Sequence, residues 1–148
     1  MIVIKRLGSE HIADVAKIEQ LCFSEPWSEK SFSILLNEGA FGMVALVDGV
    51  VAAYGGMLFV LDEGQITNIA THPDYRRKGI GRMIVQALET EAQSLELEHL
   101  FLEVREQNIS ARALYLSCGW EEIGLRKNFY SKPTDNAVLM KKEFLKGS

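Results

Sequence analysis

Cysteine is scarce in this chain. Cys22 and Cys118 are its only two in 148 residues, with no spacing that suggests a disulfide framework or a zinc motif. Histidine is almost as rare, and His11, His72 and His99 share no ligand spacing, so no metal is expected. Proline occurs three times, and no repeat, low-complexity tract or Pro/Gly/Ser-rich linker interrupts the chain; residues 1–148 are expected to form one domain. The longest apolar run, Val50 to Leu61, is too short to span a bilayer and contains Gly55-Gly56. The first residues lack the apolar stretch of a signal peptide, so the expected setting is cytoplasmic, without a membrane partner. Positive charge is also in deficit. The 16 Lys and Arg against 20 Asp and Glu leave a formal charge of −4, which argues against a dedicated nucleic-acid binder.

What is present is an ordinary globular composition, 47% hydrophobic and 24% charged, in a chain long enough to bury a core unaided. Ile2 to Arg6 reads as a strand. Ser9 can cap a helix with apolar positions Ile12, Val15, Ile18 and Leu21, and Ser28 a second, short helix ending near Gly39. Asp48-Gly49 between two apolar runs is a hairpin signal, Asp62-Glu63-Gly64 makes the next turn, and Gln65 to Thr71 is another strand. An amphipathic helix runs from about Gly79 to Leu95, with Ile80, Met83, Ile84, Ala87 and Leu88 on its buried stripe. Leu100 to Arg105 is a strand, and Asn108 to about Cys118 a helix that Gly119 can end. Trp120 to Leu125 and Ala137 to Lys142 are the last strands. The order β-α-α-β-β-β-α-β-α-β-β predicts an α/β fold, a mixed sheet with helices on both faces and one parallel βαβ pair.

The scattered positive charge gathers at one place. No acidic residue lies between Asp74 and Glu89, yet Arg76, Arg77, Lys78 and Arg82 all do. A helix N-terminus is already partly positive, so cations there are unfavourable unless an anion is bound. Gly79 and Gly81 leave backbone N–H groups open to phosphate oxygens. The segment is either a pyrophosphate cradle or a solvated basic loop ahead of a core helix. It fits neither a Walker P-loop, lacking Gly-Lys-Ser/Thr, nor a dinucleotide fingerprint, lacking the third glycine.

Asn68-Ile69-Ala70-Thr71-His72-Pro73-Asp74-Tyr75-Arg76-Arg77-Lys78-Gly79-Ile80-Gly81-Arg82 resembles the signature of the GNAT superfamily of N-acetyltransferases. Leu102-Glu103-Val104-Arg105, Asn108, Ala111, Leu114-Tyr115 and Gly119-Trp120 resemble its RimI-like branch, which acetylates the N-terminal alanine of a ribosomal protein. So do Cys22-Phe23, Pro26-Trp27-Ser28 and Asn128-Phe129-Tyr130. The similarity covers nearly the whole chain. It implies the GNAT acyl-CoA N-acyltransferase fold, acetyl-CoA as co-substrate and a protein N-terminus as acceptor, in a monomer or weak dimer. It also implies that the backbone of Ile69, Ala70 and Thr71 contacts the acetyl-pantetheine arm between two splayed strands. By the same resemblance Arg76, Arg77, Lys78, Gly79, Ile80, Gly81 and Arg82 hold the pyrophosphate, and Asn108 bonds the pantetheine.

Transfer to an amine requires a base for the ammonium proton and an acid for the departing thiolate. Glu103 alternates with Leu102 and Val104 and is either a base at a cleft edge or a strand residue paired with Arg105 or Lys127. Tyr115, seven residues after Asn108, shares a helix face with it and is either a proton donor or a packed aromatic. The resemblance implies general base for Glu103 and general acid for Tyr115. Cys118 could instead carry an acetyl-cysteine intermediate, but no histidine stands near it to form a Cys-His pair, so direct transfer in a ternary complex is expected. Acceptor walls are implied at Phe23 to Trp27 and Phe129 to Asp135, with Trp27 and Tyr130 as substrate contacts; Trp27, Phe129 and Tyr130 are otherwise ordinary packing. Glu25, Glu29, Glu38 and Asp135 could draw a basic peptide, or simply be solvated. Asp135-Asn136 departs from the Glu-Asp often found there, which leaves the acceptor open to a lysine or small-molecule amine. A catalytically silent acyl-CoA-binding domain is the reading from another class.

Overall fold

Seven strands form one sheet in the order β1-β2-β3-β4-β5-β7-β6 in the computed structural model, which describes residues 1–144. The strands are β1 (Ile2–Arg6), β2 (Ala40–Val47), β3 (Val50–Val60), β4 (Glu63–Thr71), β5 (His99–Arg105), β6 (Glu121–Tyr130) and β7 (Asp135–Glu143). Four helices interleave with them: α1 (Ile12–Cys22), α2 (Glu29–Phe32), α3 (Ile80–Ser94) and α4 (Ile109–Ser117). The expected element order and mixed sheet are therefore present. Asp48 and Gly49 both take positive φ, 49° and 84°, the two-residue turn that the right-handed strand twist favours between β2 and β3.

The middle of the sheet is covered on both faces. Val15, Ile18, Phe32, Leu35, Val44 and Tyr54 form a core beneath α1 and α2. Ile84, Leu88, Met57, Leu100, Leu102 and Trp120 form the other, beneath α3 and α4. Gly55 and Gly56 make the close approach possible. A Cβ at Gly55 would stand 2.7 Å from Leu88, and one at Gly56 2.6 Å from Leu35.

Strands β4 and β5 are parallel, as the βαβ rule requires, but pair only at Glu63–His99, Gly64–Leu100 and Gln65–Phe101. Beyond Gln65, β4 continues against β3 and β5 against β7, so the two part company and the sheet opens. At the same level β4 carries a bulge: Gly56 faces Asn68 and Met57 faces Ile66, leaving Thr67 as the extra residue.

Several local expectations need correction. Ser9 does not cap α1; it lies in a 3₁₀ turn, Ser9–His11, and the Gly8 N–H donates to His11 Nδ1 at 2.9 Å instead. Leu21 is 60% exposed, because nine residues from Ile12 at about 100° each is half a turn away. The buried stripe runs through Ile12, Val15, Ala16, Ile18 and Glu19. Ser28 does cap α2, accepting the Ser31 N–H at 3.1 Å, but the helix stops at Phe32 and a 3₁₀ turn, Ser33–Leu36, follows. On α3 Met83 is exposed and Ala87 only partly buried, while Val85, Glu89 and Ala92 complete the stripe. The last strands run longer than their apolar residues suggest. Residues 121–129 of β6 are exposed on an edge, where the ladder does not need alternating hydrophobic residues.

Candidate active site

A cleft of about 690 Å³ lies where β4 and β5 part. It gathers residues far apart in sequence: Phe23 to Glu25 and Trp27 from the α1–α2 loop, Ile66 to Ile69 from β4, Leu102 to Arg105 from β5, Asn108, Ala111 and Tyr115 from α4, and Phe129 to Pro133 from the β6–β7 connection. Of the anticipated site residues, Glu103, Tyr115, Ile69, Asn108, Trp27 and Tyr130 thus share one cavity. Ala70, Thr71 and the segment from Arg76 to Arg82 lie outside its lining.

Glu103 has neither Arg105 nor Lys127 as an ion-pair partner. Arg105 instead donates Nη1 to the Pro133 carbonyl at 2.8 Å and Nη2 to the Ser131 carbonyl at 3.0 Å, with its guanidinium 4.5 Å from the centre of the Tyr130 ring. Burial, followed by the charge of Glu103, pushes the Tyr130 phenol up to about 12, so it remains a hydrogen-bond donor at neutral pH. Tyr115 is 7% exposed and tilted against Trp120, with ring centroids 6.1 Å apart. Its burial raises the phenol above its ordinary range, which keeps its proton in place.

Asn108 has a second duty that was not anticipated. Its Oδ1 caps α4 by accepting the Ala111 N–H at 3.2 Å. With Oδ1 engaged in the cap, Nδ2 is the amide's remaining donor.

Near the basic segment, α3 begins at Gly79 in the left-handed region, φ 77°, with no side-chain cap and no acidic residue in its first turn. Its leading N–H groups therefore have no intrahelical acceptor. Space around a Cβ is open at both glycines, with nothing within 4 Å at Gly79 and only Leu114 and Thr71 at 3.5 and 3.6 Å at Gly81; the left-handed φ calls for glycine at Gly79, while neither conformation nor packing demands it at Gly81. Two of the arginines, both exposed, are tied to neighbouring elements. Arg76 donates Nε to the Thr71 carbonyl at 3.2 Å and Nη2 to Cys22 Sγ at 3.3 Å. Arg82 donates to Ser117 Oγ at 2.8 Å and Cys118 Sγ at 3.5 Å, at the negative end of α4.

Of the four acidic residues considered for drawing a basic peptide, only Glu25 lines the cleft. Asp135 is buried and accepts the N–H groups of Asn136 at 2.7 Å and Gln107 at 3.3 Å, a structural task. His99 has carboxylate company after all. Its donor atoms and those of Asp62 and Glu98 lie within 4.8 Å of one another, but at the end of the β4–β5 pair opposite the cleft.

Glu19 and Cys22 line the cleft and were not singled out from the sequence as site residues. For Glu19 the signal existed: it falls four residues after Val15, on the buried face of α1. Burial raises the Cys22 thiol, against the lowering influence of Arg76. Among the described residues no helix is long and apolar enough to cross a membrane.

The sequence and the fold have close parallels. Residues 12–120 match the family model for the acetyltransferase (GNAT) family. The [ribosomal protein bS18]-alanine N-acetyltransferase of Escherichia coli K12 is 36% identical over 144 residues, covering 95% of this chain and 96% of that protein. Its namesake from Salmonella typhimurium is 35% identical over 142 residues, with the same coverage. The crystal structure of the ribosomal-protein-S18-alanine N-acetyltransferase from Escherichia coli superposes with a TM-score of 0.90 at 34% identity, covering 97% of this chain and 94% of that one. With its family signature, its near full-length relatives and its opened sheet in agreement, the chain belongs to the GNAT family of acetyltransferases.

Proposed function

We propose that this protein transfers the acetyl group of acetyl-CoA to the N-terminal α-amine of a protein, the acceptor being the N-terminal alanine of ribosomal protein bS18. The observation that carries this reading is the placing of Glu103 and Tyr115 on one cleft, where β4 and β5 separate. The full-length relatives named for that reaction support the choice of acceptor.

Acetyl-CoA supplies the activated acetyl group. The backbone of Ile69, Ala70 and Thr71, on the stretch of β4 that has no β5 partner, holds the acetyl-pantetheine arm in place of a strand. Asn108 Nδ2 bonds the pantetheine. The free N–H groups at the start of α3, from Gly79 to Arg82, take the pyrophosphate, within the positive field of Arg76, Arg77, Lys78 and Arg82. Arg76 and Arg82 also brace the cradle through the internal bonds described above.

Glu103 accepts the proton of the acceptor ammonium, directly or through water. An α-amine has a reference pKa near 8, about two units below that of lysine, so its ammonium gives up its proton more readily than a lysine does. Tyr115 holds its proton for the departing sulfur, and its burial keeps that proton from being lost to solvent. Trp27 and Tyr130 form the acceptor walls. The whole of residues 1–148 serves as one cytoplasmic catalytic domain.

The reading is tested by CoA release with an Ala-starting bS18 peptide, a lysine peptide with a blocked N-terminus, and polyamines. Release with the first alone is expected. Equal release with the lysine peptide or the polyamines would reject the assignment.

A further inference from the structure

Glu19 takes part in no step described above, yet it is the most deeply buried charged side chain among the described residues, at 3% exposure. Both oxygens act as acceptors. Oε1 takes the Tyr54 hydroxyl from β3, and Oε2 takes the Trp27 backbone N–H at 3.0 Å and Asn68 Nδ2 at 3.1 Å. One carboxylate on α1 therefore ties together the strand below the cleft, the α1–α2 loop on one wall, and the bulged part of β4 on another.

The partners depend on this tie. Because Glu19 accepts, Asn68 must present its amide nitrogen, and its Oδ1 is left buried with no partner. Asn68 is thus anchored at one end only, next to Thr67, the extra residue of the bulge. Trp27 rests on Phe32 with ring centroids 5.3 Å apart, and Phe32 meets the Tyr54 ring edge-on at 5.5 Å. The Trp27 main chain is fixed by Glu19 and its ring by this aromatic ladder, which ends on the tyrosine that Glu19 also holds.

We propose that Glu19 is a positioning residue for the acceptor amine, acting through Trp27 and Asn68 to set the width of the acceptor side of the cleft. The proposal rests on reading this cleft as the acceptor site. A glutamine preserves the three contacts: its oxygen takes the Trp27 and Asn68 donors, and its nitrogen donates to the Tyr54 oxygen. An alanine preserves none.

The test compares Glu19→Ala and Glu19→Gln with the wild-type protein, using a bS18 N-terminal peptide and acetyl-CoA. Glu19→Ala is expected to raise the acceptor KM about tenfold or more, with the acetyl-CoA KM within about twofold; Glu19→Gln stays within about threefold of wild type on both. A merely structural role lowers the active fraction, and so the apparent kcat, while moving neither KM. In a Trp27→Ala background the effect of Glu19→Ala on the acceptor KM shrinks to about threefold or less. An unchanged acceptor KM in folded Glu19→Ala, a glutamine that fails to rescue, or a larger residual effect over Trp27→Ala overturns the proposal.

A second readout needs no activity. Trp120 is 2% exposed and Trp27 half-buried, so iodide quenching of fluorescence reports on Trp27. Quenching should rise in Glu19→Ala and not in Glu19→Gln; equal quenching in all three proteins overturns the proposal. If wild type acetylates no amine, the proposed function fails and quenching still decides the role of Glu19. If Glu19→Ala does not fold, Tyr54→Phe, which deletes one contact, takes its place, with about a threefold rise in acceptor KM or increased quenching expected and no change in either overturning the proposal.

Discussion

The Ser131 hydroxyl donates to the Glu25 carboxylate at 2.5 Å, joining two cleft walls that are 106 residues apart in sequence. The β6–β7 connection is held in reach by Arg105, which grips the Ser131 and Pro133 carbonyls from β5. Under the proposed function, an acceptor peptide entering on this side displaces the Ser131–Glu25 bond. Ser131→Ala removes that bond without touching the cleft floor and should lower the acceptor KM about threefold to fivefold, an exposed hydrogen bond to a charged group being worth about 1 kcal/mol. Arg105→Ala should act oppositely, raising the acceptor KM by loosening Tyr130. Steady-state kinetics with varied peptide checks both.

Glu103→Gln keeps the shape of the cleft and removes the carboxylate proposed as its base. Turnover at neutral pH should fall about a hundredfold or more, with acetyl-CoA affinity by calorimetry within about twofold of wild type. Tyr115→Phe should likewise lower kcat and spare acetyl-CoA affinity. Equal losses in turnover and affinity would assign Tyr115 to binding.

The buried phenols give stability a one-sided pH dependence. Burial raises Tyr54 and Tyr115 above the ordinary phenol value of about 10, so the folded protein keeps protons that the unfolded chain releases. Their contribution is therefore complete below about pH 10 and is lost as pH rises beyond it. Urea midpoints should decline above about pH 10, and the decline should be shallower in Tyr115→Phe, which has one fewer retained proton.

Behind the cleft, Lys142 Nζ meets Glu89 at 2.5 Å and the Cys118 carbonyl at 2.6 Å, while Trp120 Nε1 donates to the other Glu89 oxygen at 3.0 Å. This mostly buried pair links α3 to β7. Lys142→Met strands Glu89 and should cost about 3 kcal/mol in denaturant unfolding. Replacing both partners, as Glu89→Leu with Lys142→Met, should cost less than the single change.

Element types were legible because their signals are local. The Asp48-Gly49 turn, the Ser28 cap and the α3 periodicity each lie within a few residues of the structure they specify. The site was legible in its motif residues, Glu103, Asn108 and Tyr115, which the structure brings to one cleft. Side-chain partnerships were not, since they depend on which elements the fold stacks. Arg105 suggested a partner for Glu103 on the same strand, yet it reaches a loop 26 to 28 residues away. Arg76 and Arg82 announced themselves as positive charge, but their bonds to Thr71 and Ser117 depend on where the fold sets the ends of β4 and α4 beside the start of α3. Glu19 was hidden by type: a glutamate on a helix is ordinarily solvated, and only its place on the buried stripe set it apart.

The most direct measurement is mass-spectrometric location of the acetyl group after incubating purified protein with acetyl-CoA and bS18, in parallel with bS18 whose N-terminus is chemically blocked. A single acetyl group on the α-amine of the N-terminal alanine is expected, with none on the blocked protein. Acetylation that survives the block, or that falls on lysine side chains alone, would contradict N-terminal transfer.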